Sequence, residues 1–350
     1  MQLRDLDFSL PDALIAQEPV SPRDSARLFV YRVGTNTIEH HHVFDLPRLL
    51  PAKTLLVANN SKVRKSRLRA QDAKGRAVEI LLLEEIRSHR YRCLLGGLRG
   101  AKPGDSLTLN PEITARILER ESHPTITTYI VDFESPAPFD LEDFAEVPLP
   151  PYIKHSQSHP EHYQTTYASQ LGSSAAPTAG LHFTPALIAD ITAHDMTWAE
   201  VTLHVGLGTF APLRNQDITQ NTLHFEQTSI SPAVAKTITQ AKQDGLPIMA
   251  IGTTSCRTLE SHAKQSQIIP GDLRTNLFIY PGYHFEVVDI LFTNFHLPHS
   301  SLLLLVAAFL GHSAQLPPEQ ALALLKKLYA EAIRNEYRFY SFGDAMLILK

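Results

Sequence analysis

Ser231-Pro-Ala-Val-Ala-Lys-Thr-Ile-Thr-Gln-Ala-Lys-Gln-Asp-Gly245, continued after Leu246 by Pro247-Ile-Met-Ala-Ile-Gly-Thr-Thr-Ser-Cys-Arg257, decides the fold class. Ser231 before Pro232 is a helix N-cap with proline at the first helical position, and Gly245 is a stop. A strand, Pro247–Ile251, follows, then a glycine turn, Gly252-Thr-Thr-Ser-Cys-Arg257, then a second helical stretch. Helix, strand, glycine turn, helix is the order of a parallel or mixed sheet with helices on its faces, and ligands gather at the strand-end turns of such sheets. Thr184-Pro185 repeats the capping device and opens a helix to about Ala193, while Leu322, Leu324, Leu325 and Leu328 mark a late amphipathic helix.

Upstream the pattern changes. Leu10–Gln17 reads as a short helix with an early proline, and Leu55–Asn60 as a buried strand. Short alternating runs then follow at 77–83, 91–95, 106–109 and 125–131, split by Gly96-Gly97, Pro103-Gly104 and Asn110-Pro111, which suggests a small barrel. The proline-rich Ser135-Pro-Ala-Pro and Val147-Pro-Leu-Pro-Pro-Tyr152 mark the return to the main domain. The expected organisation is an α/β domain from 1–58 and 152–350, a mixed sheet flanked by helices, with a β-barrel inserted over 59–151.

With 350 residues, 43% hydrophobic and 19% charged, the chain is an ordinary globular one with room for two domains. Its two cysteines, Cys93 and Cys256, lack C-x-x-C spacing, which removes a disulfide framework or cysteine zinc site and fits a reducing cytoplasm. No apolar signal core opens the chain, and the run Leu302–Leu310 is too short to cross a bilayer, so no membrane stage is expected. The net charge of −4 hides an asymmetry: residues 59–102 hold twelve Lys or Arg against four acids, leaving −12 elsewhere. A basic segment of this kind is either a polyanion contact or a solvated surface.

Two glycine-histidine stretches carry the chemistry, Ser173–Thr184 with Gly180 and His182, and Leu203-His-Val-Gly-Leu-Gly-Thr-Phe210 with His204, Gly206 and Gly208. Glycine admits a ligand close to the backbone and histidine transfers protons near neutrality, so they read as two walls of a site, or as buried turns with core histidines. Gly252-Thr-Thr-Ser255 resembles a phosphate or hydroxyl cradle without the lysine of a P-loop. Asp289–Pro298 ends a strand in Thr293-Asn294 and the pair Phe295-His296, either a packed corner or an aromatic base-stacking wall. Arg338–Met346 reads as an edge strand or a site turn. There is no H-E-x-x-H, His40-His-His42 sits in a polar turn context, and there is no G-x-S-x-G, so neither a metal nor a serine triad is expected.

Leu14-Ile-Ala-Gln17, Val147-Pro-Leu-Pro-Pro-Tyr-Ile153, Ala175–Thr184, Leu203–Phe210, Gly252–Ser255, Thr293-Asn-Phe-His-Leu-Pro298 and Tyr337–Met346 together resemble the S-adenosylmethionine:tRNA ribosyltransferase-isomerases of queuosine biosynthesis, nearly end to end. The resemblance implies transfer and isomerisation of the ribosyl group of S-adenosylmethionine onto 7-aminomethyl-7-deazaguanine at the tRNA wobble position, giving epoxyqueuosine and releasing adenine and methionine. The pattern departs at Ser61-Lys-Val-Arg-Lys-Ser66 and at Leu223-His-Phe-Glu226, which keeps His224 and Glu226.

Both readings select His182, His204 and Glu226 for proton transfer. Thr178, Gly180, Phe183, Gly206, Gly208, Thr209, Thr253, Thr254, Ser255, Arg257, Asn294, Phe295 and His296 are selected for S-adenosylmethionine or the modified base. Lys62, Arg64, Lys65, Arg67, Arg69 and Arg338 are the tRNA contacts. No resident cofactor or metal is expected. The partners are S-adenosylmethionine and a tRNA with a GUN-type anticodon, the state a monomer, the location the cytoplasm. A non-enzymatic RNA-binding protein and an adenosine-type hydrolase are the other readings.

Overall fold

In the computed structural model, residues 1–98, 100–122, 127–150, 152–153, 160–206, 213, 215–265 and 267–350 are described, without the side chains of 160 and 161. They form two compact units, residues 1–62 with 150–350, and residues 63–149.

The larger unit is built on nine strands: β1 Arg27–Arg32, β2 Thr37–His42, β3 Leu55–Asn59, β4 Thr197–His204, β5 Glu226–Ile230, β6 Ile248–Ile251, β7 Gly271–Thr275, β8 Ile290–Asn294 and β9 Ala345–Leu349. Their order is β7-β5-β4-β3-β6-β8-β9-β1-β2. The central four, β4, β3, β6 and β8, run parallel, and antiparallel strands flank them. β6 is apolar throughout, and β3 up to its terminal Asn59, because both faces of the sheet are covered. Leu55, Val57, Ile248 and Ala250 enter one core cluster, and Leu56, Ala58, Met249 and Ile251 the other.

Among the described residues, five helices longer than a single turn belong to the unit: α1 Pro185–Ala193, α2 Pro232–Gln243, α3 Gly252–His262, α4 Ser301–Ala314 and α5 Pro318–Arg334. The caps anticipated at Thr184 and Ser231 are made, each hydroxyl accepting the amide of the residue three positions on. In α4 every residue from Leu303 to Gly311 is buried, which accounts for the apolar run as a core helix. No single helix among the described residues is long and apolar enough to cross a membrane.

The smaller unit is a closed six-stranded barrel, ordered Thr127–Glu134, Arg90–Gly96, Ala77–Arg87, Arg67–Asp72, Ser106–Thr108 and Thr114–Ser122. Leu68, Val78, Ile80, Cys93, Ile117 and Val131 alternate inward to fill it.

Four local expectations are corrected. Leu10–Gln17 is not a helix but one 3-10 turn, Asp12–Leu14, since Ile15 leaves it to bridge Phe339. His40-His-His42 lies on β2 rather than in a turn. The C-terminal strand is not an edge: β9 sits between β8 and β1. The basic character of 59–102 is cancelled within the barrel unit, where 13 Lys or Arg face 14 Asp or Glu for a net −1. Arg69 pairs with Glu146 at 3.0 Å, Arg76 with Asp72 at 2.6 Å and Arg92 with Glu121 at 2.8 Å.

Candidate functional site

A cavity of about 410 Å³ opens at the carboxyl ends of β6 and β8, where parallel sheets hold their ligands. Gly252, Thr253 and Thr254 bring the first turn of α3 to it, and Thr293 to Ser301 supply the opposite wall. Gly252 makes the strand-to-helix corner with a φ of +83°, and a β-carbon there would stand 3.3 Å from that of Ala179. The helix therefore starts directly at the strand end, its free N–H groups aimed at the cavity. The buried hydroxyls of Thr254 and Ser255 and the buried Nη2 of Arg257 have no hydrogen-bond partner among the described residues. Such groups cost free energy until something accepts from them, so this helix start is built to meet a ligand.

Thr178 and Asn294 line the same cavity and are bonded to one another, the Thr178 hydroxyl donating to Asn294 Oδ1 at 3.1 Å. Asn294 Nδ2 donates to His182 Nε2 at 3.2 Å. His182 itself is 4% exposed, and burial pushes its pKa down to about 4. It is a neutral ring that orients Asn294 from behind the wall rather than a group on the cavity. His296 does line the cavity, paired with the Thr293 hydroxyl at 3.0 Å and pushed down to about 3 by burial.

Glu226 and Arg257 are brought together in a buried ion pair. Glu226 also accepts the Gly206 amide at 3.1 Å, and Arg257 Nε donates to the Leu277 carbonyl at 3.2 Å. The pair adjoins the cavity wall at Ser301 and Leu302. His204 is elsewhere: its Nδ1 meets the Ser61 hydroxyl at 2.8 Å, and it faces a second, polar cavity of about 630 Å³. The three proton-transfer candidates thus occupy three separate environments.

Other expected site residues pack instead. Phe183 is fully buried against Trp198 and Phe292. Phe295 borders the cavity, yet its ring belongs to an aromatic cluster with Phe29, Tyr329, Tyr337 and Phe339. Gly180 exists for packing, since a β-carbon there would lie 2.0 Å from the Tyr167 hydroxyl. Gly208 and Thr209 lie outside the described residues. The Arg338 guanidinium is engaged by Asp344 at 3.2 Å and by the Glu18 carbonyl. Of the barrel cations, Arg64 bonds the Leu83 carbonyl, and Arg67 bonds the Leu149 carbonyl and Glu79. Lys62 and Lys65 are exposed.

Tyr152, Tyr340 and Ser341 were missed by sequence reasoning and all line the cavity. The Tyr152 hydroxyl meets that of Ser341, the two tyrosine rings lie 4.3 Å apart, and burial pushes Tyr152 up to about 12. Their signal was the retained Pro-Tyr and Tyr-Ser-Phe-Gly motifs, whose convergence depends on the position of β9.

The chain matches the family model described as queuosine biosynthesis protein over residues 3–348. It is 42% identical to the S-adenosylmethionine:tRNA ribosyltransferase-isomerase of Symbiobacterium thermophilum over the full length of both. It is 42% identical to the enzyme of that name from Thermosynechococcus vestitus, over 98% of this chain and 94% of that one. The crystal structure of an S-adenosylmethionine tRNA ribosyltransferase from Thermotoga maritima is similar with a TM-score of 0.55 and 34% identity, covering 99% of this chain and 100% of that chain.

Proposed function

The chain belongs to the queuosine biosynthesis protein family, the S-adenosylmethionine:tRNA ribosyltransferase-isomerases, and from that premise we propose how its site is used. It transfers and isomerises the ribosyl moiety of S-adenosylmethionine onto 7-aminomethyl-7-deazaguanine in tRNA, giving epoxyqueuosine with release of adenine and methionine. The reading of where this happens rests on one observation. A ligand-sized cavity meets a helix start whose Thr254 hydroxyl is buried and unsatisfied.

S-adenosylmethionine occupies the 410 Å³ cavity, its carboxylate toward the α3 N-terminus, where amides, Thr253 and Thr254 favour an anion and the remaining Arg257 N–H adds positive charge from the adjoining pocket. Arg257 is held in place for this by Glu226. The sulfonium acidifies the adjacent ribose carbon, so a positioned base starts the reaction, after which adenine leaves and the ring carbons rearrange. Neutral His296 and the Asn294 amide, fixed by His182, supply uncharged partners to the adenine or ribose. Of the proton-transfer candidates, His204 is the one whose ring reaches an open cavity, and it serves the amine of the acceptor base.

The tRNA carries a GUN-type anticodon, exposed Lys62 and Lys65 contact its phosphates, and the protein acts as a cytoplasmic monomer. Mass spectrometry of tRNA nucleosides after incubation with S-adenosylmethionine tests the reading. Epoxyqueuosine with stoichiometric adenine is expected, and adenine release at the same rate without tRNA would overturn it.

A further inference from the structure

Alternation along β4 sends Ala199 and Val201 to the α2 and α3 side of the sheet, so Glu200, Thr202 and His204 stand on the other face. Register extends that face across two more strands. Thr202 pairs with Ser229 and Ser229 with Asp272, while His204 pairs with Gln227 and Gln227 with Arg274. Two cross-strand rows of three polar side chains thus lie side by side, a composition that no core would use. They floor the 630 Å³ cavity.

Its walls are oriented. Asn60 accepts from the Thr202 hydroxyl at 2.8 Å and donates to Glu200 at 3.2 Å, and the Trp198 indole donates to the other Glu200 oxygen at 3.2 Å. The Glu200 carboxylate is therefore fixed at one end. At the other, the Arg274 guanidinium lies 5.1 Å from the ring of Phe225, which is 57% exposed. An exposed aromatic capped by arginine, beside a floor of hydrogen-bonding groups on an open sheet, is the chemistry that holds unstacked RNA bases. A carboxylate only accepts, and among nucleobase edges the guanine Watson–Crick edge offers two adjacent donors, N1–H and the N2 amine.

We propose that this polar cavity on β4, β5 and β7 seats an unstacked guanine-type nucleobase of the RNA substrate, with Glu200 reading its Watson–Crick edge and Phe225 and Arg274 stacking at the mouth. The inference rests on the functional reading above and adds the place of base recognition, in the larger unit and not in the charge-balanced barrel.

The test uses full-length protein and two anticodon stem-loop RNAs that differ only in a loop guanine or inosine, which lacks the N2 amine. Wild-type protein binds the guanine RNA about tenfold more tightly. Glu200→Gln abolishes that preference, and Phe225→Ala weakens both RNAs by about tenfold. Binding of S-adenosylmethionine, measured by calorimetry, stays at the wild-type value in both variants and certifies their fold. Equal affinity of the wild type for both RNAs, or unchanged RNA affinity in both variants, overturns the proposal. Failure of the functional reading shows separately, as wild-type protein that binds RNA but forms no epoxyqueuosine.

Discussion

Glu226 and Arg257 form an ion pair whose side chains are 3% and 4% exposed, joining β5 to the second turn of α3 beside the cavity. Removing one partner strands a charge in the interior, which typically costs about 3–5 kcal/mol. Glu226→Ala is therefore expected to lower the thermal midpoint sharply, and Glu226→Leu with Arg257→Met to recover most of it. Circular dichroism melts of the three proteins decide this. A Glu226→Gln variant that melts like wild type and keeps its KM for S-adenosylmethionine but loses kcat by about a hundredfold would instead make Glu226 a proton-transfer group.

The His182 to Asn294 contact yields a pH prediction. Burial lowers His182 to about 4, whereas an unfolded histidine titrates near 6.5. Between these values the unfolded chain binds the proton and the native one does not. The stabilisation is complete above pH 6.5 and falls as pH drops toward 4, by at most about 1.4 kcal/mol per pH unit from this group. Urea midpoints at pH 7.5, 5.5 and 4.5 should fall in that order, and His182→Gln should make the fall less steep, the rest coming from other buried histidines such as His296. An equally steep fall in the variant assigns the effect to other groups.

Turnover is expected to survive chelation, because the substrate's own sulfonium acidifies the ribose carbon and the chemistry calls for a base rather than a Lewis acid. Rates before and after dialysis against EDTA check this. Loss of activity that zinc restores would refute it.

The sheet was legible because its signals are local. Capping residues at Thr184 and Ser231 and the apolar β6 are written in consecutive residues, and Gly252 marked the end of a strand. The site was legible only in part. That Asn294 meets Thr178 and His182 depends on residues 116 and 112 positions apart, which no spacing rule reaches. His204 and Val205 are neighbours in sequence but line different cavities. The charge of the barrel was misread because arginines on its early strands pair with acids 29 to 77 residues later in the chain, such as Glu121 and Glu146.

That pairing redirects the electrostatic prediction for the RNA contact. Arg67 and Arg69 hold Glu79, Glu146 and the Leu149 carbonyl, so neutralising them loosens the barrel as well as any phosphate contact. Lys62 and Lys65 are exposed. Each phosphate contact contributes roughly 0.7 to 0.9 to the slope of log affinity against log salt. Lys62→Ala with Lys65→Ala should therefore flatten the tRNA salt slope by about one to two units while leaving the melting temperature in place. Arg67→Ala with Arg69→Ala should lower the melting temperature. Filter binding across a salt series, set beside the melts, separates the two effects. A lysine variant with the wild-type slope would move the phosphate contacts off this stretch of chain.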